Sequence, residues 1–89
     1  MAKKRRKLNK DFERKIYSSK KNVELVLAKI YDIDDEDIQK EYMSAFNKVV
    51  YLYDDLKKDY DLKGFNDNSM ENLATYENAF NLFESEFEI

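Results

Sequence analysis

The sequence lacks cysteine, histidine and proline, and it contains one glycine in 89 residues. Without cysteine, the chain has no disulfide and no thiolate for metal binding or nucleophilic catalysis. Without histidine, it lacks the commonest metal ligand and the commonest general base near pH 7. A single glycine also excludes a glycine-rich phosphate-binding loop. These absences favour a binding protein over an enzyme, and we expect neither a cofactor nor a metal ion.

Long apolar runs are also missing. The run at residues 49–53 is typical of the longest, whereas a membrane-spanning helix needs about 20 apolar residues. The basic N-terminus is not followed by the apolar stretch of roughly 7–15 residues that a secretory signal requires. We therefore expect a protein with no membrane partner, located in the cytoplasm. Abundant Lys, Asn, Ile, Tyr and Phe, which have A/T-rich codons, suggest a low-GC bacterial host or its phages and plasmids.

The charged residues are segregated along the chain. Residues 1–22 hold ten Lys or Arg and two Asp or Glu, and residues 23–89 hold six and seventeen. The net charge of −3 therefore hides a region of +8 and a region of −11. Such an asymmetry within one small domain indicates charged partners.

The spacing of apolar residues predicts three α-helices, over about 9–31, 35–62 and 69–87. In the first, the core positions step by 4, 3, 4, 3 and 4, which is one face of a helix; they are Phe12, Ile16, Ser19, Val23, Val26 and Ile30. The second helix has two neighbouring apolar stripes: one holds Ile38, Tyr42, Ala45, Val49, Leu52 and Leu56, and the other holds Phe46, Tyr53 and Tyr60. The weak helix formers Ser18, Ser19 and Asn22 leave a break near 18–22 open. We predict an all-α antiparallel three-helix bundle over 9–89, preceded by a disordered, flexible basic tail over 1–8. The same spacing suits coiled-coil pairing, so a monomer and a homodimer both stay open.

Residues between the predicted helices suggest how the helices begin and end. Asp34 or Asp35 is the expected N-cap of the second helix, because a short acidic side chain accepts backbone N–H bonds there. Gly64 suits a left-handed C-terminal cap. Asn68, with Glu71 three residues later, resembles a capping box at the start of the third helix.

A first candidate binding site is basic. It comprises Lys3, Lys4, Arg5, Arg6 and Lys7 of the predicted tail, continued by Lys10 and Arg14 on the first helix. Adjacent cations neutralise phosphates and bind nucleic acid in a salt-dependent, sequence-independent way. A solubilising terminus and a dock for an acidic protein are the alternatives.

A second candidate binding site is acidic. It comprises Asp32, Asp34, Asp35, Glu36 and Asp37 between the first two helices, and Tyr51, Asp55 and Asp59 on one face of the second. The cluster begins like a calcium-binding EF-hand loop, but Asp37 and Met43 stand where that loop needs Gly and Glu. Glu84, Glu86 and Glu88 close the third helix, where the helix dipole disfavours anions. Carboxylates at such unfavourable positions indicate that the acidic surface binds a partner. The alternative is that an acidic surface keeps a small protein soluble.

Three segments carry a resemblance to a known class: DIDDED (32–37), YLYDDLKKDYDL (51–62) and ESEFEI (84–89). Their composition resembles that of small phage-encoded inhibitors, including anti-CRISPR proteins, several of which are acidic and rich in Asp, Glu and Tyr. The resemblance implies a non-enzymatic protein of a phage or mobile element that blocks a positively charged groove on a nucleic-acid-handling protein, such as a nuclease or its nucleoprotein complex. Carboxylates at helix spacing would take the place of phosphates there.

Two other functions stay open. One is a nucleic-acid-binding accessory protein that acts through the basic tail and the first helix. The other is an immunity or regulatory protein whose helical bundle binds another protein without nucleic acid.

Overall fold

The computed structural model describes the backbone of residues 2–88 and the side chains of residues 8–88. It contains three α-helices, α1 (Ala2–Tyr31), α2 (Glu36–Lys63) and α3 (Ser69–Glu86). Successive helices run antiparallel, with α2 packed against both α1 and α3. The bundle measures 53 × 21 × 16 Å and is therefore a short rod. The predicted three-helix bundle with long helices is confirmed.

Helix α1 differs from the prediction at its N-terminus. It begins at Ala2 rather than near residue 9, and the backbone of residues 2–8 continues the helix. Ala, Lys, Arg and Leu are strong helix formers, and neither Gly nor Pro interrupts them. The side chains of the predicted basic tail, residues 3–7, lie outside the described part of the chain. The sequence left open whether the first helix breaks near residues 18–22. In the structure, α1 is continuous through these residues.

The core consists of the predicted apolar faces. All six predicted positions of α1 are buried, and Ser19 at the centre is only 6% exposed. Helix α2 contributes members of both its predicted stripes, namely Phe46, Val49, Tyr53 and Leu56, and α3 contributes Leu73, Tyr76 and Phe83. Burying one large apolar side chain stabilises the fold by about 1.5–3 kcal/mol. Ile38 is an exception at 44% exposure, because α3 ends beside Tyr42, one turn further along α2.

Aromatic pairs join α2 to α3 over most of the length of α3. The ring centroids of Phe46 and Phe83 lie 4.8 Å apart, and those of Tyr53 and Tyr76 lie 5.8 Å apart. Each such pair adds about 0.5–1.5 kcal/mol beyond the area it buries. At the other end of the bundle, Phe12 of α1 contacts Phe65 at 5.4 Å between centroids. The aromatic residues therefore connect all three helices and the α2–α3 turn.

Helix α2 begins and ends largely as predicted. Asp35 is its N-cap, and Asp35 Oδ1 accepts the backbone N–H groups of Asp37 (2.9 Å) and Ile38 (3.1 Å). At the other end, the Gly64 N–H donates to the Tyr60 carbonyl oxygen at 2.8 Å. Gly64 has the expected positive φ of 70°, but its ψ of −166° is extended rather than left-handed helical. That combination is essentially limited to glycine.

The predicted capping box of α3 is wrong. Asn68 makes no side-chain cap hydrogen bond, and its φ of −92° and ψ of −8° are helical, whereas an N-cap side chain needs an extended backbone to reach back. The turn is held by Asn66 instead. Its N–H donates to Ser69 Oγ at 2.9 Å, and its Oδ1 accepts the Asn68 N–H at 2.9 Å.

The two helix N-termini give a first testable prediction. Asp35→Ala should lower the free energy of unfolding by about 1 kcal/mol, because two backbone N–H groups lose their acceptor. Asn68→Ala should change it by less than about 0.5 kcal/mol, since no cap bond is lost. Urea denaturation measures both. Asp34→Ala is the control for charge, and an equal loss in Asp34→Ala and Asp35→Ala would contradict the capping role.

Tyr76 gives a second prediction, for alkaline pH. Burial raises the pKa of the Tyr76 phenol to about 12, and its hydroxyl donates to the Ser19 carbonyl oxygen at 3.4 Å. Above about pH 10 the unfolded chain therefore releases this proton while the folded chain keeps it, so stability falls as the pH rises toward about 12. Tyr76→Phe should flatten this decline by about 1 kcal/mol per pH unit.

Urea denaturation at several values between about pH 9 and pH 11 measures the slope. Tyr51→Phe is the matched control, because Tyr51 is 65% exposed. A slope that is the same in Tyr76→Phe and in the unmodified protein would contradict the prediction.

Candidate partner-binding surfaces

The fold brings two acidic segments together at one end of the rod. Residues 32–37 connect α1 to α2, and the last turn of α3 ends beside the first turns of α2. There the Tyr42 hydroxyl donates to the Glu88 carbonyl oxygen at 3.4 Å, and its ring lies 4.8 Å from that of Phe87. We call this end the acidic pole. It comprises Asp32, Asp34, Asp35, Glu36, Asp37, Glu86 and Glu88, all of which are exposed.

The carboxylates of the acidic pole form no ion pair with a described side chain, although Lys40 follows Glu36 by four residues on α2. Among the residues with described side chains, the two ion pairs both lie in the C-terminal half of α2. Lys29 and Lys40 are the cations closest in sequence to residues 32–37. Glu36 and Asp37 lie in the first turn of α2, where the helix dipole favours them, but Glu84 and Glu86 lie at the disfavoured end of α3. Asp35 has a structural role as the N-cap.

The other predicted acidic residues lie apart from the pole. Tyr51 is 65% exposed, and Asp55 is also exposed. Lys48 precedes Tyr51 by three residues and Lys58 follows Asp55 by three, so helical spacing places both lysines on the same face. This part of α2 therefore has mixed charge rather than a continuous acidic surface.

Asp59, the third residue of this group, holds the turn between α2 and α3. Its side chain is only 19% exposed and lies 3.4 Å from Lys63 Nζ, and its Oδ2 accepts from Asn66 Nδ2 at 2.9 Å. The hydrogen bond from Asn66, followed by that from Lys63, lowers the pKa of the Asp59 carboxyl. These contacts give Asp59 a structural role, which its helical spacing alone does not show.

The predicted basic residues that the structure describes lie on α1. Lys10 and Arg14 are exposed, and two further residues extend their line. Tyr17 is 61% exposed, and Lys21 Nζ lies 4.7 Å from the centroid of its ring. We call Lys10, Arg14, Tyr17 and Lys21 the cationic face of α1. Tyr17 was not among the predicted site residues, although its spacing of three residues from Arg14 and four from Lys21 is readable in the sequence.

Other kinds of site have little support in the described residues. A shallow groove of about 230 Å³ lies between α1 and α3, with Ser18 and Asn22 on one wall and Glu77 and Asn81 on the other. Within residues 2–88, no three side chains of the metal-binding types form a group that could hold an ion. The helices of this described region are also too polar to cross a membrane.

Comparison with protein-family models, curated proteins and solved structures finds no significant match for this chain. The resemblance to phage-encoded inhibitors therefore rests on composition alone. Because three-helix bundles support many unrelated functions, the fold itself does not select one. The basis for a functional proposal is the distribution of charge on the described surface.

The opposite ends of α3 give a third prediction. Glu86→Gln should raise the free energy of unfolding by about 0.3–1 kcal/mol, because it removes an anion from the negative end of the helix dipole. Glu71→Gln, in the first turn, should lower it by a similar amount. Urea denaturation measures both, and about 1 M salt should shrink both differences by screening. A change of the same sign in the two variants would contradict the argument.

Proposed function

We propose that this chain is a non-enzymatic binding protein that docks its acidic pole onto a positively charged site of a nucleic-acid-handling protein. The supporting observation is the convergence of two acidic segments, about 50 residues apart in the sequence, at one end of the bundle. Carboxylates crowded at one end repel one another, and a partner rich in Lys and Arg relieves that repulsion. Surface electrostatics of this kind act mainly on specificity and on the rate of association.

The chemistry of the partner follows from the chemistry of the pole. Proteins that hold a nucleic acid backbone line their channels with cations that contact phosphate. An exposed carboxylate presents oxygen acceptors to the same Lys and Arg donors. The rod has principal extents of only 21 × 16 Å across, and the residues of the acidic pole lie at its tip. This shape suits entry into a cleft that a nucleic acid otherwise occupies.

The proposal extends to a biological setting. The acidic, Tyr-rich composition resembles that of phage-encoded inhibitors, so the setting we propose is a bacterial cytoplasm in which a phage or mobile element produces the protein. The partner in that setting is a nuclease or its nucleoprotein complex. Inhibition would result from occupation of the nucleic acid site rather than from chemistry on the partner.

The fourth prediction tests the pole with a triple variant, Asp34→Asn, Asp37→Asn and Glu86→Gln. Asp35 is left in place because it caps α2. The matched control, Asp54→Asn, Asp67→Asn and Glu77→Gln, removes the same charge from exposed positions away from the pole. The immobilised proteins are exposed to nuclease-treated lysate of a low-GC bacterium, and the captured partner is then purified.

The pole variant should bind the purified partner at least roughly tenfold more weakly, which corresponds to about 1.4 kcal/mol, and the control should bind normally. Added DNA or RNA should also displace the unmodified protein from the partner, since both occupy one cationic site. Unaltered affinity of the pole variant, or a complex that nucleic acid does not displace, would refute the proposal. Thermal unfolding of each variant verifies that the fold is retained.

A further inference from the structure

The cationic face of α1 is a second interaction surface, separate from the acidic pole. Its residues follow one another at steps of 4, 3 and 4, on the side of α1 opposite the buried stripe. With a rise of 1.5 Å per residue, Lys10 and Lys21 are separated by about 16 Å along the helix. In the sequence, Lys3 and Lys7 continue the same steps toward the N-terminus. The face is therefore a straight row rather than a compact patch.

Acidic residues do little to neutralise this row. Within the part of the chain whose side chains are described, no ion pair involves Lys10, Arg14 or Lys21. Of the acidic residues on α1, Glu13 accepts a hydrogen bond from the Tyr60 hydroxyl of α2, so it faces the helix interface. Asp11 lies three residues before Arg14 and Glu24 three residues after Lys21, at the sides of the row, where Lys15 and Lys20 also flank it.

The acidic pole is too distant to cancel the charge of the row. Along the axis, Asp32 lies about 16 Å from Lys21, the nearest cation of the row, and about 27 Å from Arg14, given the helical rise. The Debye length at physiological ionic strength is about 8 Å. A local positive field therefore persists on α1 although the whole chain carries −3.

The form of the row narrows the choice of partner. An amphipathic helix that binds a membrane inserts an apolar face, but the apolar face of α1 is buried against the rest of the bundle, with Phe12 1% and Ile30 0% exposed. The cations Lys10, Arg14 and Lys21 follow one another at about 6 and 10.5 Å along the helix, and such a straight line of charges suits a linear polyanion. Tyr17 adds an exposed ring, and aromatic rings stack on unpaired bases.

We infer that the cationic face of α1 binds the phosphodiester backbone of a nucleic acid. Lys10, Arg14 and Lys21 contact phosphates, and the ring of Tyr17 packs against a sugar or an unstacked base. This inference does not rest on the acidic pole or on the partner proposed for it, because it requires only α1 and the nucleic acid.

The fifth prediction uses the purified full chain and labelled oligonucleotides of about 20 nucleotides or base pairs: single-stranded DNA, single-stranded RNA and duplex DNA. Fluorescence anisotropy gives the binding constant between about 50 and 200 mM salt. The test variant is Lys10→Gln, Arg14→Gln and Lys21→Gln. Its matched control is Lys40→Gln, Lys48→Gln and Lys58→Gln, which makes the same charge change at exposed positions of α2.

The unmodified protein should bind at least one of the three oligonucleotides, with affinity that falls as salt rises. In the test variant, the slope of log K against log salt should become shallower by about 2–3, because three phosphate contacts are lost at about 0.7–0.9 each. Its affinity at about 50 mM salt should fall more than tenfold, and the control should keep its affinity within about twofold. Tyr17→Ala should weaken single-strand binding more than duplex binding if the ring stacks on a base.

Three outcomes would overturn the inference. The first is the absence of binding to all three oligonucleotides at low salt. The second is an equal loss in the test and control variants, which would reflect net charge rather than the face. The third is tighter binding to poly-glutamate or to phosphatidylserine vesicles than to nucleic acid. Circular dichroism of both variants verifies the helix content. The acidic pole is intact in the test variant and in the control variant. A negative result in the nucleic acid binding experiment therefore does not affect the test of the pole.

Discussion

The structure depends on the wide apolar face of α2. One edge of this face meets α1 and the other meets α3, so α2 is buried between two neighbours while each of those neighbours packs mainly on α2. Phe46 and Tyr53 show the arrangement, since their rings contact Phe83 and Tyr76 of α3 and both side chains belong to the same core as the stripe of α1. Because α1 and α3 make few contacts with each other, their packing on α2 determines the arrangement of the three helices.

This central position of α2 determines where the charged segments lie. Because consecutive helices are antiparallel, the α1–α2 connection and the end of α3 must meet at the same end of the rod. The acidic pole is thus a product of topology as well as of composition. The N-terminal half of α1 extends toward the opposite end, which keeps its cations away from the carboxylates of the acidic pole. The same packing leaves one side of α1 without any contact, and that side carries Lys10, Arg14 and Lys21.

Much of the fold was predictable because the period of an α-helix is a local property of the sequence. The core positions of α1, the N-cap at Asp35 and the positive φ of Gly64 all follow from rules that involve a few neighbouring residues. Features that depend on how helices meet were not predictable in this way. Ile38 fits the apolar stripe of α2 but is 44% exposed, since α3 ends beside Tyr42, one turn further along α2. Asn68 matches a capping motif, yet Asn66 holds the turn because Asp59 and Ser69 are in reach.

The candidate surfaces also combine features that neighbouring residues determine with features that depend on how the helices pack. The acidic cluster at residues 32–37 is evident in the sequence. Its proximity to Glu86 and Glu88 is known only from the structure. Tyr51, Asp55 and Asp59 share helical spacing, yet only the structure reveals that Asp59 is engaged by Asn66 and Lys63. The place of Tyr17 on the cationic face of α1 follows from helical spacing, but an aromatic residue within the row does not stand out in a search for adjacent cations.

The separation of charge along a 53 Å rod has a kinetic consequence. The acidic pole at one tip and the cations toward the other end of α1 give the molecule an electric dipole along its long axis. In the field of a charged partner, such a dipole experiences a torque before any contact is made. The rod therefore approaches with one end already turned toward the partner, which raises the fraction of encounters that are productive. Added salt removes this alignment, so the association rate is expected to be more sensitive to ionic strength than the net charge of −3 indicates.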